Sequence, residues 1–196
     1  MIPAMNRDTD WQVVRLRDVE PKPWRNGGGT TRELAAWPRG HDEKACQWRA
    51  SVAEVAADGP FSSFAGVQRW FAVLGGDGVC LTVDGYMHML SKSDAPLQFD
   101  GGAQTDCELL GGATRDFNLM LKGSATGQML RVLNRFKTTL KTPKTIATYA
   151  HKSKATVQIG NQTYMLLPHS LGWISVPGDT AVRVTAGNAL YMEIDA

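Results

Sequence analysis

The chain has little of what metal sites, redox centres and nucleotide pockets are commonly built from. Its three cysteines, Cys46, Cys80 and Cys107, are odd in number, far apart and in no CxxC pair. They read as small buried hydrophobes in a reducing compartment, which excludes a disulfide framework. The four histidines, His41, His88, His151 and His169, are never closer than 18 residues in sequence. No local cluster therefore supplies the three or four ligands of a metal site, and neither a metal nor another cofactor is expected. No run approaches the roughly 18 apolar residues of a membrane helix. Met1 to Trp11 carries Asp8 and Asp10 and no apolar core, so it does not read as a signal peptide. A soluble cytoplasmic protein with no membrane partner is the expectation.

Acidic residues are also missing where they matter for charge. Residues 1–116 hold 12 Lys/Arg against 16 Asp/Glu, whereas residues 117–178 hold no acid and eight bases. Those bases are Lys122, Arg131, Arg135, Lys137, Lys141, Lys144, Lys152 and Lys154. Such a segment suits an anionic partner, or the acidic half of its own fold or of a second copy in a homodimer. The bases lack interleaved aromatics and a known binding motif, which argues against nucleic acid.

What is present points to strands. The hydrophobic share is 43%, the charged share 20%, and there are 20 glycines and 9 prolines with no long helical periodicity. Strand patterns run over Trp11–Arg17, Thr30–Ala36, Cys46–Val55, Arg69–Leu74, Val79–Val83, Tyr86–Leu90, Pro96–Phe99, Thr105–Leu110, Arg115–Lys122 and Gln128–Leu133. Five more follow at Ala155–Ile159, Tyr164–Leu167, Gly172–Val176, Ala181–Thr185 and Ala189–Ile194. Residues 37–42 form a Pro/Gly turn. The basic, Thr-rich stretch 134–154 reads as a connector. Short strands at 8–12-residue spacing, closed by Gly/Asp/Asn turns, indicate an all-β sandwich, jelly roll or barrel.

The densest stretch is Trp24-Arg25-Asn26-Gly27-Gly28-Gly29-Thr30-Thr31-Arg32-Glu33. Three consecutive glycines cost backbone entropy, which a chain tolerates where φ is positive or something approaches closely. No Lys-Ser/Thr follows them and a strand rather than a helix does, so neither a phosphate loop nor a dinucleotide fingerprint is present. Arg32 and Glu33 fall on opposite faces of the following strand. Glycine-rich turns before strands are also common in all-β proteins without a site.

This motif resembles the opening of the HutD/Ves family. Three later stretches agree in the family's order: Trp48-Arg49-Ala50-Ser51-Val52-Ala53-Glu54, Gly59-Pro60-Phe61-Ser62-Ser63-Phe64 with Gly66 and Arg69, and Arg115-Asp116-Phe117-Asn118-Leu119-Met120. The resemblance covers about 100 residues; after residue 135 only the strand pattern agrees. It implies a double cupin-like barrel (RmlC-type jelly roll, a bicupin), with residues 1–134 as one half and 135–196 as a smaller second half. It also implies a small-ligand-sensing or modulating role linked to histidine utilisation. Metal-binding cupins present a His-x-His pair, which this chain lacks.

The polar residues in these motifs are Asn26, Arg32, Arg49, Ser51, Ser62, Ser63, Arg69, Arg115 and Asn118. Guanidinium forks with hydroxyl and amide donors are suited to holding a carboxylate. Arg49 and Ser51 share a strand face, as do Asp116 and Asn118. The alternative is structural: Arg49 pairing with Glu33 or Glu54, and Asp116 and Asn118 capping turns. Two functions follow. One is a non-enzymatic pocket for a small carboxylate such as urocanate or N-formylglutamate. The other is a metal-independent enzyme on a small organic acid, with His88, Glu33 or Asp116 moving the proton. A histidine or buried carboxylate in the pocket would favour the second.

Overall fold

The computed structural model describes residues 10–38 and 46–195. Most of the turn over residues 37–42, with His41, lies outside the described residues. The first strands are β1 (Gln12–Arg15), β2 (Lys22–Pro23), β3 (Gly29–Trp37), β4 (Trp48–Val55), β5 (Gly59–Pro60) and β6 (Val67–Gly75). Next come β7 (Val79–Val83), β8 (Tyr86–Leu90), β9 (Leu97–Asp100), β10 (Thr105–Leu109), β11 (Thr114–Lys122), β12 (Thr126–Val132) and β13 (Arg135–Thr139). The last are β14 (Lys144–Ala150), β15 (Ala155–Ile159), β16 (Gln162–Leu166), β17 (Ser170–Val176), β18 (Ala181–Ala186) and β19 (Ala189–Asp195). A 3₁₀ turn at Leu16–Asp18 ends the opening strand earlier than its alternation predicts. The chain is all-β with antiparallel sheets. Among the described residues no helix is long and apolar enough to cross a membrane.

The strands fall into two units, Leu16–Thr126 and the combination of Met1–Arg15 with Gly127–Ala196. The sequence reading divides the chain at 134/135 and leaves β1 in the first half. In the structure β1 pairs with β17, Val13 opposite Gly172, so the opening strand belongs with the late strands.

The Leu16–Thr126 unit has a six-stranded sheet, β2-β3-β4-β11-β6-β9, and a four-stranded sheet, β5-β10-β7-β8. Val55, Phe71, Val73 and Phe99 from the first meet Val79, Leu81, Val83 and Cys107 from the second in one core. Alternation along each strand makes this possible, since every second side chain points to the same face. Cys46, Cys80 and Cys107 are all buried.

The other unit pairs a five-stranded sheet, β1-β17-β14-β19-β12, with a four-stranded one, β13-β18-β15-β16. Its core includes Ile146, Val157, Val182, Val184 and Tyr191. The expected connector over 134–154 is not one. It holds β13 and β14, and β14 lies mid-sheet between β17 and β19 with Ile146 through Ala150 buried. The bases sit at its ends, at Lys144 and Lys152, and the threonines and alanines between them hide the burial from a polarity count.

The triple glycine answers to two separate constraints. Gly27 has φ +72°, the left-handed region that favours glycine. At Gly29 a Cβ would sit 2.2 Å from the Glu54 carbonyl oxygen and 3.2 Å from the Trp24 ring. The strand enters the sheet through a gap with no room for a side chain. Gly29→Ala is therefore expected to lower stability by about 1–3 kcal/mol, read by urea unfolding. A change below a few tenths would contradict this close approach.

Candidate functional site

A cavity of about 670 Å³ opens on the six-stranded sheet of the Leu16–Thr126 unit, a size suited to a small molecule. Strand parity selects its wall. Thr31 and Glu33 on β3 pair with Ala53 and Ser51 on β4, and Ser51 with Asn118 on β11. Met120 in turn pairs with Arg69 on β6. All of these line the cavity, with Arg49 beside Ser51 and with Phe61, Ser62 and Phe64 from the loop after β5. The loop between β2 and β3 closes one side with Trp24, Arg25 and Asn26. Trp24 Nε1 donates to Thr31 Oγ1 at 2.7 Å, and Asn26 Oδ1 accepts from the Gly28 amide at 3.1 Å. The glycine loop thus holds an aromatic and an amide at the rim.

Arg69 is the most constrained group here, with only 7% of its surface exposed. Its Nε and Nη2 both donate to Asn118 Oδ1, at 2.9 and 2.6 Å. The guanidinium lies 4.5 Å from the centroid of the Phe61 ring, 5.3 Å from Phe99 and 6.0 Å from Phe71. Among the described residues no carboxylate comes within ion-pair distance of it. Burial, and then the neighbouring Arg49 charge, push its pKa down to about 10. Arg49 meets Glu33 at 3.9 Å, a loose pair at the cavity wall. The arrangement presents an aromatic-walled basin with two guanidiniums and neutral donors, suited to an anion.

Of the nine residues singled out from sequence, Asn26, Arg49, Ser51, Ser62, Arg69 and Asn118 line this cavity. Arg32, Ser63 and Arg115 do not. Arg32 points to the other face of β3, where its Nε donates to the Val19 carbonyl at 3.1 Å and its Nη1 lies 3.8 Å from Glu54. Arg115 joins the same Glu54 at 2.6 Å. Ser63 donates to the Gly102 carbonyl at 3.1 Å. Arg32 and Arg115 share strand parity with Glu54, which places them away from the cavity. Parity also marks Thr31, Glu33 and Met120 as wall residues, although the motif reading did not include them among the site residues.

The groups considered for proton transfer are dispersed. His88 on β8 pairs with Leu81 and is not part of the cavity lining. His151 and His169 meet in the other unit with ring centroids 5.6 Å apart, a proximity their spacing conceals. Asp116 is fully buried two residues from Asn118 and accepts from Thr114 Oγ1 at 2.8 Å. Its Oδ1 is buried without a hydrogen bond from any of the described residues. Burial raises its pKa to about 7, against the opposing pull of the Thr114 hydroxyl and the Arg69 charge. Cys107 is pushed up to about 12, first by burial and then by Asp116. Among the described residues no three His, Cys, Asp or Glu side chains gather as a metal would need.

The HutD family model matches residues 16–192. The chain belongs to the HutD family. A protein of Pseudomonas putida, named for its place in the hutC 3′ region, is 46% identical over 110 residues. That match covers 56% of this chain and only 57% of that relative's length. The structure of HutD from Pseudomonas fluorescens SBW25 superimposes with TM-score 0.76 at 30% identity, covering 94% of this chain and 98% of that one. A conserved protein of unknown function from Pseudomonas aeruginosa PAO1 gives 0.83 at 32%, covering 96% and 100%. Oxalate decarboxylase of Bacillus subtilis, at 8% identity and TM-score 0.63 over 95% of this chain and 77% of its own, shares the fold alone.

The buried carboxyl has a consequence for stability. Below about pH 4 Asp116 is protonated in folded and unfolded chains alike. Between about 4 and 7 the folded chain keeps a proton that the unfolded chain gives up, so stability falls as pH rises and stays reduced above 7. Asp116→Asn is expected to be more stable than wild type at pH 8 by about 2–4 kcal/mol relative to their difference at pH 4. Urea unfolding at both values measures this; an unchanged difference would mean that Asp116 does not hold the proton.

Proposed function

We propose that this HutD protein binds a small carboxylate in the cavity and acts in the cytoplasm as a non-enzymatic modulator or sensor of histidine and urocanate breakdown. Urocanate and N-formylglutamate are the candidate ligands. The observation that carries the reading is Arg69: a buried cation facing a cavity, with Asn118 its one hydrogen-bond partner among the described residues. A buried charge without a counter-charge is costly, and an arriving carboxylate offsets that cost with short, charge-assisted bonds. Arg49, Ser51 and Ser62 supply further donors, and Trp24, Phe61 and Phe64 an apolar wall for the rest of the ligand. The histidine-pathway link draws on the family name and on the hutC neighbourhood of the Pseudomonas putida relative. The two units, each with a larger and a smaller antiparallel sheet, support reading the chain as a double cupin-like barrel.

A metal-independent enzyme acting on a small organic acid is the second reading. It draws on Asp116, whose pKa near 7 suits proton transfer. Asp116 does not line the cavity, however, and Glu33, which does, is partly exposed and faces Arg49. The cavity's composition favours the binder.

Titration calorimetry with urocanate, N-formylglutamate and formate tests the proposal. Saturable binding with the ligand recovered intact is the expected result. Conversion of the ligand would establish the enzyme, and no heat with any carboxylate would overturn both readings. Arg49→Ala is expected to weaken binding about 10- to 100-fold. Arg32→Ala, altered on the opposite face, is expected to leave affinity unchanged, and equal losses in both would refute the assigned geometry.

A further inference from the structure

Part of the charge asymmetry lies on two sheet faces. On the four-stranded sheet β13-β18-β15-β16, Phe136, Val157, Val182 and Val184 point into the core. The alternate residues face outward, half-buried on β15 and exposed on β13 and β18, where Lys137 stands directly opposite Arg183 with Arg135 two residues along. Like charges directly opposite on neighbouring strands are destabilising. Among the described residues none of the three has a carboxylate within ion-pair distance. Among the described residues no acid lies on this face, whose other members include Thr139, Gln158, Met165 and Thr185.

The corresponding face of β5-β10-β7-β8 has the opposite sign. Asp106 and Glu108 are exposed on β10, and neither has a cation within ion-pair distance among the described residues. Their neighbours across β7 are Thr82 and Cys80, and beyond those Met87 and Met89 on β8, 76% and 63% exposed. Residues 16–126 as a whole carry 11 Lys/Arg against 14 Asp/Glu, the remainder 10 against 5.

We propose that these two faces are complementary docking surfaces by which one copy of this chain holds another. The basic face of β13-β18-β15-β16 on one copy meets the acidic, methionine-bearing face of β5-β10-β7-β8 on the next. A second copy supplies both missing counter-charges with one surface pair. A nucleic acid would engage only the basic face, which offers no exposed aromatic among its described residues for bases to stack on. The exposed methionines add adaptable apolar area beside the acids, while the charges set orientation and encounter rate. Each copy offers both faces, so the assembly either closes on itself or extends by the same contact. None of these residues lines the carboxylate cavity.

Sedimentation velocity tests this with the full chain and two double variants, Lys137→Glu/Arg183→Glu and Asp106→Lys/Glu108→Lys. Wild type is expected to self-associate at 50 mM NaCl, with an apparent Kd at least tenfold weaker at 500 mM because exposed charges are screened. Each double variant alone is expected to be monomeric. An equimolar mixture of the two is expected to associate, since each restores the sign the other has lost. Thermal melts matching wild type show that the exposed substitutions leave the fold intact. A wild type that stays monomeric at low salt, variants that assemble like wild type, or a mixture that stays monomeric would overturn the proposal. So would a basic face that binds a single-stranded oligonucleotide while the protein remains monomeric.

Discussion

One buried guanidinium governs how the cavity is built. Arg69 cannot pay for its burial with an ion pair, so the surrounding strands must satisfy it by other means. Asn118 does so from the neighbouring strand, because antiparallel pairing sets Met120 opposite Arg69 and brings Asn118 one step along the same face. The carboxamide oxygen accepts two N–H bonds, and Phe61 and Phe99 cover the cation with their negative faces. This holds the fork in place, the kind of pre-organisation that would lower the entropy lost if the proposed carboxylate binds. The second guanidinium, on β4, then sits where its charge adds to that of Arg69 and depresses its pKa.

The two faces of the six-stranded sheet divide the charged residues of the motifs between separate tasks. Thr31, Glu33, Arg49 and Ser51 look toward the cavity. Arg32, Glu54 and Arg115, one residue out of phase, tie three adjacent strands together through a shared carboxylate. With Arg115 and Glu54 each about 40% exposed, those bonds contribute little stability apiece. They fix lateral alignment instead, and Arg32 adds a bond to the Val19 carbonyl that anchors the segment before β2. The glycines complete this arrangement by letting Trp24 fold back over the start of β3.

The sequence made the all-β class, most strand positions and the cavity face of β4 legible, because period-two alternation on a half-buried strand carries that information directly. Arg49, Ser51 and Ala53 share a face in the pattern as in the structure. Motif membership groups Arg32 and Arg115 with the site, whereas strand parity places both with Glu54. β14 is not legible in the sequence because a strand covered on both faces loses its alternation, and because Thr and Ala mask burial. The join of β1 to β17, and the meeting of His151 with His169, depend on pairings across more than a hundred residues or between loops, which no local pattern encodes. Such long-range closure is what topology adds to propensity.

Asp116 bears on the charge of Arg69 without lining the cavity. While its carboxyl is protonated, the buried region around Arg69 keeps a net positive charge and no internal anion competes for the guanidinium. Once it ionises, its charge acts through the low-dielectric interior on the same cation. Thr114 holds one oxygen, and the other is buried without a donor, so the ionised form is the poorly solvated one. Hydrophobic neighbours such as Phe71, Val73 and Cys107 therefore do more than fill the core. By making a nearby carboxylate unfavourable, they raise the pH at which Asp116 becomes an anion facing Arg69, and below that pH the guanidinium keeps its charge uncompensated from that side.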